Sequence, residues 1–558
     1  MSRRSSKKTT SRSASTASAR GSAASSPEPT AFASVSRVSV PADATQPVVA
    51  WRTRLRAAAP VFALVALCFA LYHATSDAPF YYSENAGIRN NPVVQELELF
   101  WTRMLTPKGF FQRPLSVLSY AFNYAVGGEN TSSYHWVNIA LHAANTVLVF
   151  LLAQRFFRAA WLAALLFAVH PLATACAAQI FGRNYSLATL FMNLALLFYF
   201  GKRSTGTRGR GENNGALEAQ RTNPGFFHWR GRDKWILGLL FLAMLMSKQS
   251  FVIFPVLLLW YELGRSQHRL SSTLRSFWAS PVLAGVALIT LCAAAAFLFH
   301  YALPLSRTSP IPPETFLISQ FGNSLAWLRF YFLPFQTSLL HDLYLYDDLL
   351  HWEVWFGVLL VAGLVATALR FRATAWGFLI GAFLLSVLPT NSVLPKNEII
   401  REWRFYPSLV FFSLLTAYAV AAAETFLKEK WGRPRRLRAG FAAALTAYLG
   451  VQSLSVWRQN QIFRDPFATW KQILDIYPYS ADAMNNLGHV HAEAGHYETA
   501  LGYFLQAIEA GPESYIYYYN TASAYSRLEQ PGKAATYLRR AELAQQRYGD
   551  KTITFYYK

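Results

Sequence analysis

The segment TVLVFLLAQRFFRAAWLAALLFAV, residues 146–169, sets two apolar runs on either side of a short basic break. That pattern recurs along the chain and restricts it more than any single motif. A run of about 17–25 apolar residues has the length of a bilayer crossing. Candidate spans fall near 59–75, 135–154, 158–176, 184–201, 234–247, 250–262, 279–302, 352–369, 373–389, 405–423 and 438–455. This predicts an all-α, polytopic membrane domain of about 11 crossings, with the short pair around MSKQS open to reading as one broken element. Charged residues are only 15% of the 558-residue chain, below the roughly 25% usual in soluble domains.

The formal charge of +22 raises nucleic acid as a partner. The basic residues instead cluster beside apolar runs, as in AQRFFRAA, GKRSTGTRGRG, GRSQHRLSSTLR, RFRAT and KEKWGRPRRLR. That is the pattern of cytoplasmic loops, so no nucleic acid is expected. With the Ser/Arg-rich tail inside, these five segments all fall inside. Segments 77–134, 177–183, 303–351, 390–404 and everything after 455 then fall outside, provided 321–340 does not cross. The tail is too poor in large apolar residues to fold, and it lacks an early apolar signal region. The first run is therefore read as an anchor that stays in place. The 3 cysteines lie in apolar segments, which argues against a disulfide framework.

From Ala481 the chain reads ADAMNNLGHVHAEAGHYETALGYFLQAIEAGPE. Leu487, Gly488, Gly495, Tyr497, Ala500, Phe504, Ala507 and Pro512 match tetratricopeptide positions. Ala522, Tyr525, Ala534, Leu538 and Ala541 repeat the pattern in the next unit, with Phe504 and Leu538 expected to fill the seams. FATWKQILDIYPYS reads as a preceding half-unit. So short an array buries too little alone, and it is expected to lean on the membrane domain. The organisation is thus 1–55 disordered basic cytoplasmic tail, 56–457 transmembrane domain with a first outside loop at 77–134, 458–545 repeats and 546–558 tail.

His135, Asn138, His142 and Asn145 are spaced on one helical face. Polar groups at membrane depth face another helix or a cavity. The first gives interhelical hydrogen bonds. The second gives a polar cavity wall, to which His170 would also belong. Arg113, Arg183, Lys248, Arg401 and Arg404 lie at outer ends, where the charge bias predicts few cations. They read either as snorkelling anchors or as phosphate ligands for an anionic lipid. FYYSENAGIRNN places one acid, Glu84, in the loop after the first span. A carboxylate there meets both a lipid-borne and a soluble substrate; otherwise it is a solvated loop acid. HDLYLYDD supplies rival acids at Asp342, Asp347 and Asp348. No P-loop, dinucleotide fingerprint or Cys/His zinc pattern occurs, which disfavours an ATP-driven transporter and direct use of nucleotide sugars.

RPLSVLSYAFNYAVGGENTSSYHWVNIALHAANTVLVFLL, AALLFAVHPLATACAAQIFGRNYSLATLF, SKQSFVIFPVLLLWYE and LPTNSVLPKNEIIREWRFYPSL, followed by the repeats, stand in that order. Together they resemble the tetratricopeptide-containing transmembrane O-mannosyltransferases and their bacterial relatives. The resemblance covers roughly residues 77–545. It implies a GT-C fold with short surface helices in the first loop. The implied donor is a polyprenyl-phosphate hexose, with mannose expected, and the acceptor is a protein Ser or Thr hydroxyl. Transfer would occur on the periplasmic or lumenal face of an integral membrane protein, with the repeats on that side available to acceptor proteins.

On this resemblance Glu84 is the base, helped by Arg113, and Asp342 is the second candidate for base or metal ligand. Arg113, Arg183, Lys248 and Arg404 would hold the donor phosphate. No cofactor is assigned with certainty; a divalent cation is compatible, and no metal ligand set is assigned. Ser83, Ala175 and Gln249 stand where the family pattern has acids. Those losses favour a second reading, a catalytically weakened relative serving as a membrane-anchored repeat scaffold. A third, a transporter of lipid-linked intermediates, rests on the spans alone.

Overall fold

The computed structural model describes residues 46–81, 84–104, 106, 109, 112–157, 160–204, 231–265, 311–334, 338, 341, 343–391, 400–431 and 435–548. Ser83, Asp342, the expected span 279–302 and most of both tails lie outside the described residues. Among the described residues every regular element is helical. In order they are α1 Gln46–Tyr72, α2 Pro92–Gln95, α3 Leu97–Met104, α4 Pro114–Gly127, α5 Thr131–Ala153, α6 Ala160–Val169, α7 Thr174–Ala177, α8 Arg183–Ser204, α9 Gly231–Ser247 and α10 Phe254–Arg265. Then follow α11 Pro313–Gly322, α12 Ser324–Phe332, α13 Trp352–Arg370, α14 Ala375–Val387, α15 Tyr406–Trp431, α16 Arg435–Ile462, α17 Pro466–Ile476, α18 Ala481–Glu493, α19 Tyr497–Ala510, α20 Tyr515–Arg527 and α21 Pro531–Tyr548.

Five stretches among the described residues are long and apolar enough to cross a membrane: Ala58–Asp77, Thr131–Ala153, Trp352–Arg370, Glu402–Lys430 and Ala439–Ile462. A sixth would combine Ala160–Val169 with Pro171–Ala177, bent by 58°. The bend falls at Pro171, which lacks the N–H a continuing helix needs. The expected 373–389 span forms the shorter apolar helix Ala375–Val387. Within 321–340 the described residues include the 9-residue α12, about 14 Å long and too short to cross.

The main apolar core joins α5, α6, α8, α9, α10, α14 and α15 through residues such as Phe167, Leu196, Phe241, Leu379 and Phe411. At one end of this bundle lies the loop between α1 and α5. Asn91 caps α2 by accepting the Val93 N–H, and Pro92 at its first position preorganises the turn. Ile88, Val94, Tyr120, Tyr134 and Ile180 pack beneath this loop.

Helices α18 to α21 form two hairpins. Each helix start in the second lies 34 residues after its counterpart, Ala481 before Tyr515 and Tyr497 before Pro531. Ala500, Phe504 and Ala507 are buried in the first hairpin. A Cβ on Gly488 would sit 2.6 Å from the Phe504 ring, so only glycine admits that close approach. Tyr517 donates to Asp482 (2.6 Å) and Asn520 to Asn485 (2.8 Å), tying one hairpin to the next. The seam expectation holds for Phe504 but not for Leu538, which is 43% exposed. Among the described residues no further helix follows α21 to bury it.

Candidate functional site

Glu84 opens a single turn of π-helix at Asn85–Arg89 and is not a solvated acid; it is 3% exposed. Its Oε2 accepts the Tyr81 N–H at 2.9 Å and its Oε1 accepts the Phe181 N–H at 2.9 Å. The Glu84 N–H in turn donates to the Tyr81 carbonyl at 2.6 Å. One side chain thus closes its own turn and staples it to the segment between α7 and α8. Burial pushes the carboxyl up to about 7, against the opposing pull of the N–H bonds and of the Arg183 charge. Arg183, rather than the Arg113 expected from sequence, is the cation acting on it.

Arg183 is fully buried. Its Nε donates to Asn138 Oδ1 (2.7 Å), Nη1 to Asn123 Oδ1 (2.5 Å) and Ser119 O (3.1 Å), and Nη2 to Tyr134 O (2.9 Å). The guanidinium also faces the Tyr120 ring, 4.8 Å from its centroid. Its fork is engaged by the protein itself.

The polar stripe on α5 is likewise engaged. His135 Nε2 donates to Ala78 O (3.0 Å), and Asn138 Nδ2 donates to Gln179 O (2.8 Å) and Ile180 O (3.2 Å). His142 donates from Nε2 to Ala168 O (3.3 Å) and accepts at Nδ1 from the Tyr406 hydroxyl (2.9 Å). Asn145 donates to Ser186 O at 2.8 Å. His170 accepts the Leu172 N–H at Nδ1 (3.2 Å), capping the turn at Pro171, and donates from Nε2 to Tyr331 O (2.9 Å). All five are buried and bind neighbouring elements.

The buried segment His170–Arg183 gathers the other sites. Glu84 binds it at Phe181, and Tyr120 of α4 donates to Ile180 O at 3.1 Å. The Ser116 hydroxyl, also on α4, donates to Ser247 O at 3.0 Å, tying α4 to the end of α9. Cys176 meets the Trp403 carbonyl and feels the charges of Lys248 and Glu402. Lys248 Nζ lies 4.5 Å from the Tyr185 ring centroid, and Arg401 lies against Trp403 at 5.4 Å. Arg113, immediately before Pro114, has φ 61° and ψ 59°, a left-handed conformation that side chains and a following proline both disfavour.

Sequence reading missed Glu402 and His341. Glu402 Oε1 accepts from Ser338 N (3.0 Å) and from His341 Nε2 (2.8 Å), while His341 Nδ1 meets the Tyr477 hydroxyl at 3.0 Å. Glu402 lies inside the LPTNSVLPKNEIIREWRFYPSL segment, but its partners are 61 residues and more away. Among the described residues Asp347, Asp348 and His351 are placed to share a metal ion, their ligand atoms within 4.8 Å of one another. The two acids are exposed, as carboxylates without an ion commonly are.

No protein-family model matches the chain. Among curated proteins, it is 39% identical over 157 residues to protein O-mannosyl-transferase TMTC2 of Mus musculus, covering 25% of this chain and 18% of that protein. To human TMTC3 it is 23% identical over 460 residues, 76% of this chain and 47% of that protein. To human TMTC4 it is 34% identical over 160 residues, 24% of this chain and 21% of that protein. The chain spans at most about half the length of these curated relatives. The long TMTC3 match and the shorter, closer ones agree with the motifs: the chain is a homologue of the tetratricopeptide-containing transmembrane proteins named protein O-mannosyl-transferases.

Proposed function

We propose that this chain is an integral membrane glycosyltransferase that moves a hexose, mannose by analogy with its relatives' names, from a polyprenyl-phosphate donor to Ser or Thr hydroxyls of proteins. The observation that carries this is Glu84, a first-loop carboxylate whose two oxygens are held by the Tyr81 and Phe181 N–H groups; burial raises its pKa toward neutral pH, where a general base works best. In the proposed step Glu84 takes the acceptor hydroxyl proton, the oxygen attacks C1 of the sugar, and the C1–O bond to phosphate breaks with its electron pair. Lys248, Arg404 and Arg113 stabilise the departing lipid phosphate. Arg183 belongs on this reading to the frame that orients Glu84, because its donors are already engaged. The α5 stripe belongs there too. The hairpins α18–α21, with their 34-residue offset, fit tetratricopeptide units that present acceptor segments, on the periplasmic or lumenal side.

The test is transfer from radiolabelled polyprenyl-phosphate mannose to a panel of Ser/Thr peptides. Glu84→Gln preserves shape and removes the base, so transfer should fall on the order of a hundredfold or more while donor binding survives. Transfer at the wild-type rate in this variant would exclude Glu84 and turn attention to Asp342. No transfer by the wild type to any acceptor would favour the second reading, a repeat-bearing scaffold. That reading has its own support in Ser83, Ala175 and Gln249, which replace acids of the family pattern.

A further inference from the structure

Helix α17 is tied at both ends to different loops of the membrane domain. At its start, the Tyr81 hydroxyl donates to Phe463 O at 2.6 Å and lies 3.1 Å from the Thr469 hydroxyl, which itself donates to Ile462 O at 2.9 Å. The Tyr81 ring packs against Phe463 and Trp470, with centroids 6.4 and 6.3 Å away. The same apolar cluster contains Ile473 of α17 and Ala483 and Leu487 of α18. At its end, the Tyr477 hydroxyl meets His341, which holds Glu402.

Tyr81 therefore has two roles at once. Its side chain is locked into the base of the helical array, and its backbone N–H holds Glu84 Oε2. The other carboxylate oxygen holds Phe181. A shift of α17 relative to the loop must move Tyr81, and moving Tyr81 changes the N–H that orients the carboxylate.

We propose that Tyr81 is a positioning residue and α17 a strut, through which the seating of the C-terminal helical array sets the geometry of Glu84. The consequence for transfer rests on Glu84 acting as the base; the coupling itself does not. It implies that an acceptor bound on the array reports to the site through α17.

The experiment is hydrogen–deuterium exchange on the full chain in detergent, following peptides covering 178–184 and 466–476, beside transfer kinetics. Tyr81→Phe keeps the ring in its pocket and removes only the hydroxyl. Loss of one hydrogen bond should speed exchange in 466–476 about fivefold, and the same variant should speed exchange at the Phe181 amide. It should also lower kcat with the donor KM unchanged. Tyr517→Phe loosens the array away from α17, at the Tyr517–Asp482 bond, and should leave 178–184 as in wild type. Faster exchange in 466–476 with none at 178–184 in Tyr81→Phe would overturn the coupling. An equal response of 178–184 to Tyr517→Phe would overturn it too, as general loosening. If Glu84→Gln transfers normally while Tyr81→Phe still frees the Phe181 amide, the coupling stands and the base assignment falls.

Discussion

Glu84 links folding and chemistry with opposite signs. Its carboxyl is raised from 4.5 to about 7 by burial. Protonation is therefore easier in the fold than in the unfolded chain. The stability it contributes is fully present below about pH 4.5 and is lost as pH rises through 7. A base must be ionised, so transfer runs the other way. The acidic limb of kcat/KM should have its midpoint near 7, and a midpoint near 4.5 would mean that a solvated carboxylate does the work. Arg113 makes a separate case. Its left-handed backbone before Pro114 costs about 1–3 kcal/mol, and such strain is retained where the side chain it aims has a task. Arg113→Gly should raise thermal stability and weaken binding of a polyprenyl-phosphate analogue, while Arg113→Lys should bind like wild type. Unchanged binding in the glycine variant would leave Arg113 with a turn-forming role alone. Sequence spacing placed the stripe of His135, Asn138 and His142 on one face, but spacing does not name what that face meets. Likewise Arg183 read as one more outer cation, and only its four donor bonds show a buried frame residue. The Glu402–His341–Tyr477 chain joins residues 61 and 136 positions apart, which no local pattern encodes.

Among the elements, the turn between paired C-terminal helices shows how a repeat tolerates one poor residue. Gly495 takes φ 81° after α18, and Glu529, at the same place after α20, takes φ 57°. In both turns the next N–H reaches back five residues, His496 to His491 O and Gln530 to Tyr525 O. That closure requires a left-handed residue, which glycine adopts freely and glutamate does not. Glu529→Gly should therefore stabilise the array by about 1 kcal/mol, read as a higher midpoint in denaturant; a lower midpoint would show that the Glu529 side chain makes a contact worth more than the strain. Gly182 has the reverse sensitivity. A Cβ there would lie 2.2 Å from Ala175 O and 2.6 Å from Cys176 Cα. Gly182→Ala must push α7 away from the turn holding Phe181, so it should lower stability and release Glu84 together. The helical hairpins were legible because small residues recur at a fixed period. The short helices of the first loop were expected only through resemblance, since α2 and α3 span 4 and 8 residues, too few to establish a period.

The whole molecule has one end where loop, strut and array meet. Tyr81 follows the first span and touches Phe463 after the last, and Asn460 donates to Leu71 O at 2.8 Å, joining the ends of those two spans. Glu84 and the helical array must then lie at the same end of the bundle, whichever side of the membrane that is. The charge bias predicts the side. Lys428 and Lys430 end α15, and the next stretch long and apolar enough to cross, Ala439–Ile462, leads into the array. A basic connection of that kind is expected to stay in the cytoplasm, which predicts that the array and Glu84 lie opposite it. Single cysteines at the exposed Glu429 and the exposed Glu509 test this directly, because Cys68 and Cys176 are buried and unreactive by position; Cys292 is replaced by serine in the background. A membrane-impermeant maleimide added to sealed, right-side-out membranes should label Glu509→Cys and spare Glu429→Cys until the membrane is opened. Labelling of both from one side would mean that Ala439–Ile462 does not cross. The array would then share the compartment of the basic loop, and a donor and acceptor meeting at Glu84 would have to do so on the cytoplasmic face.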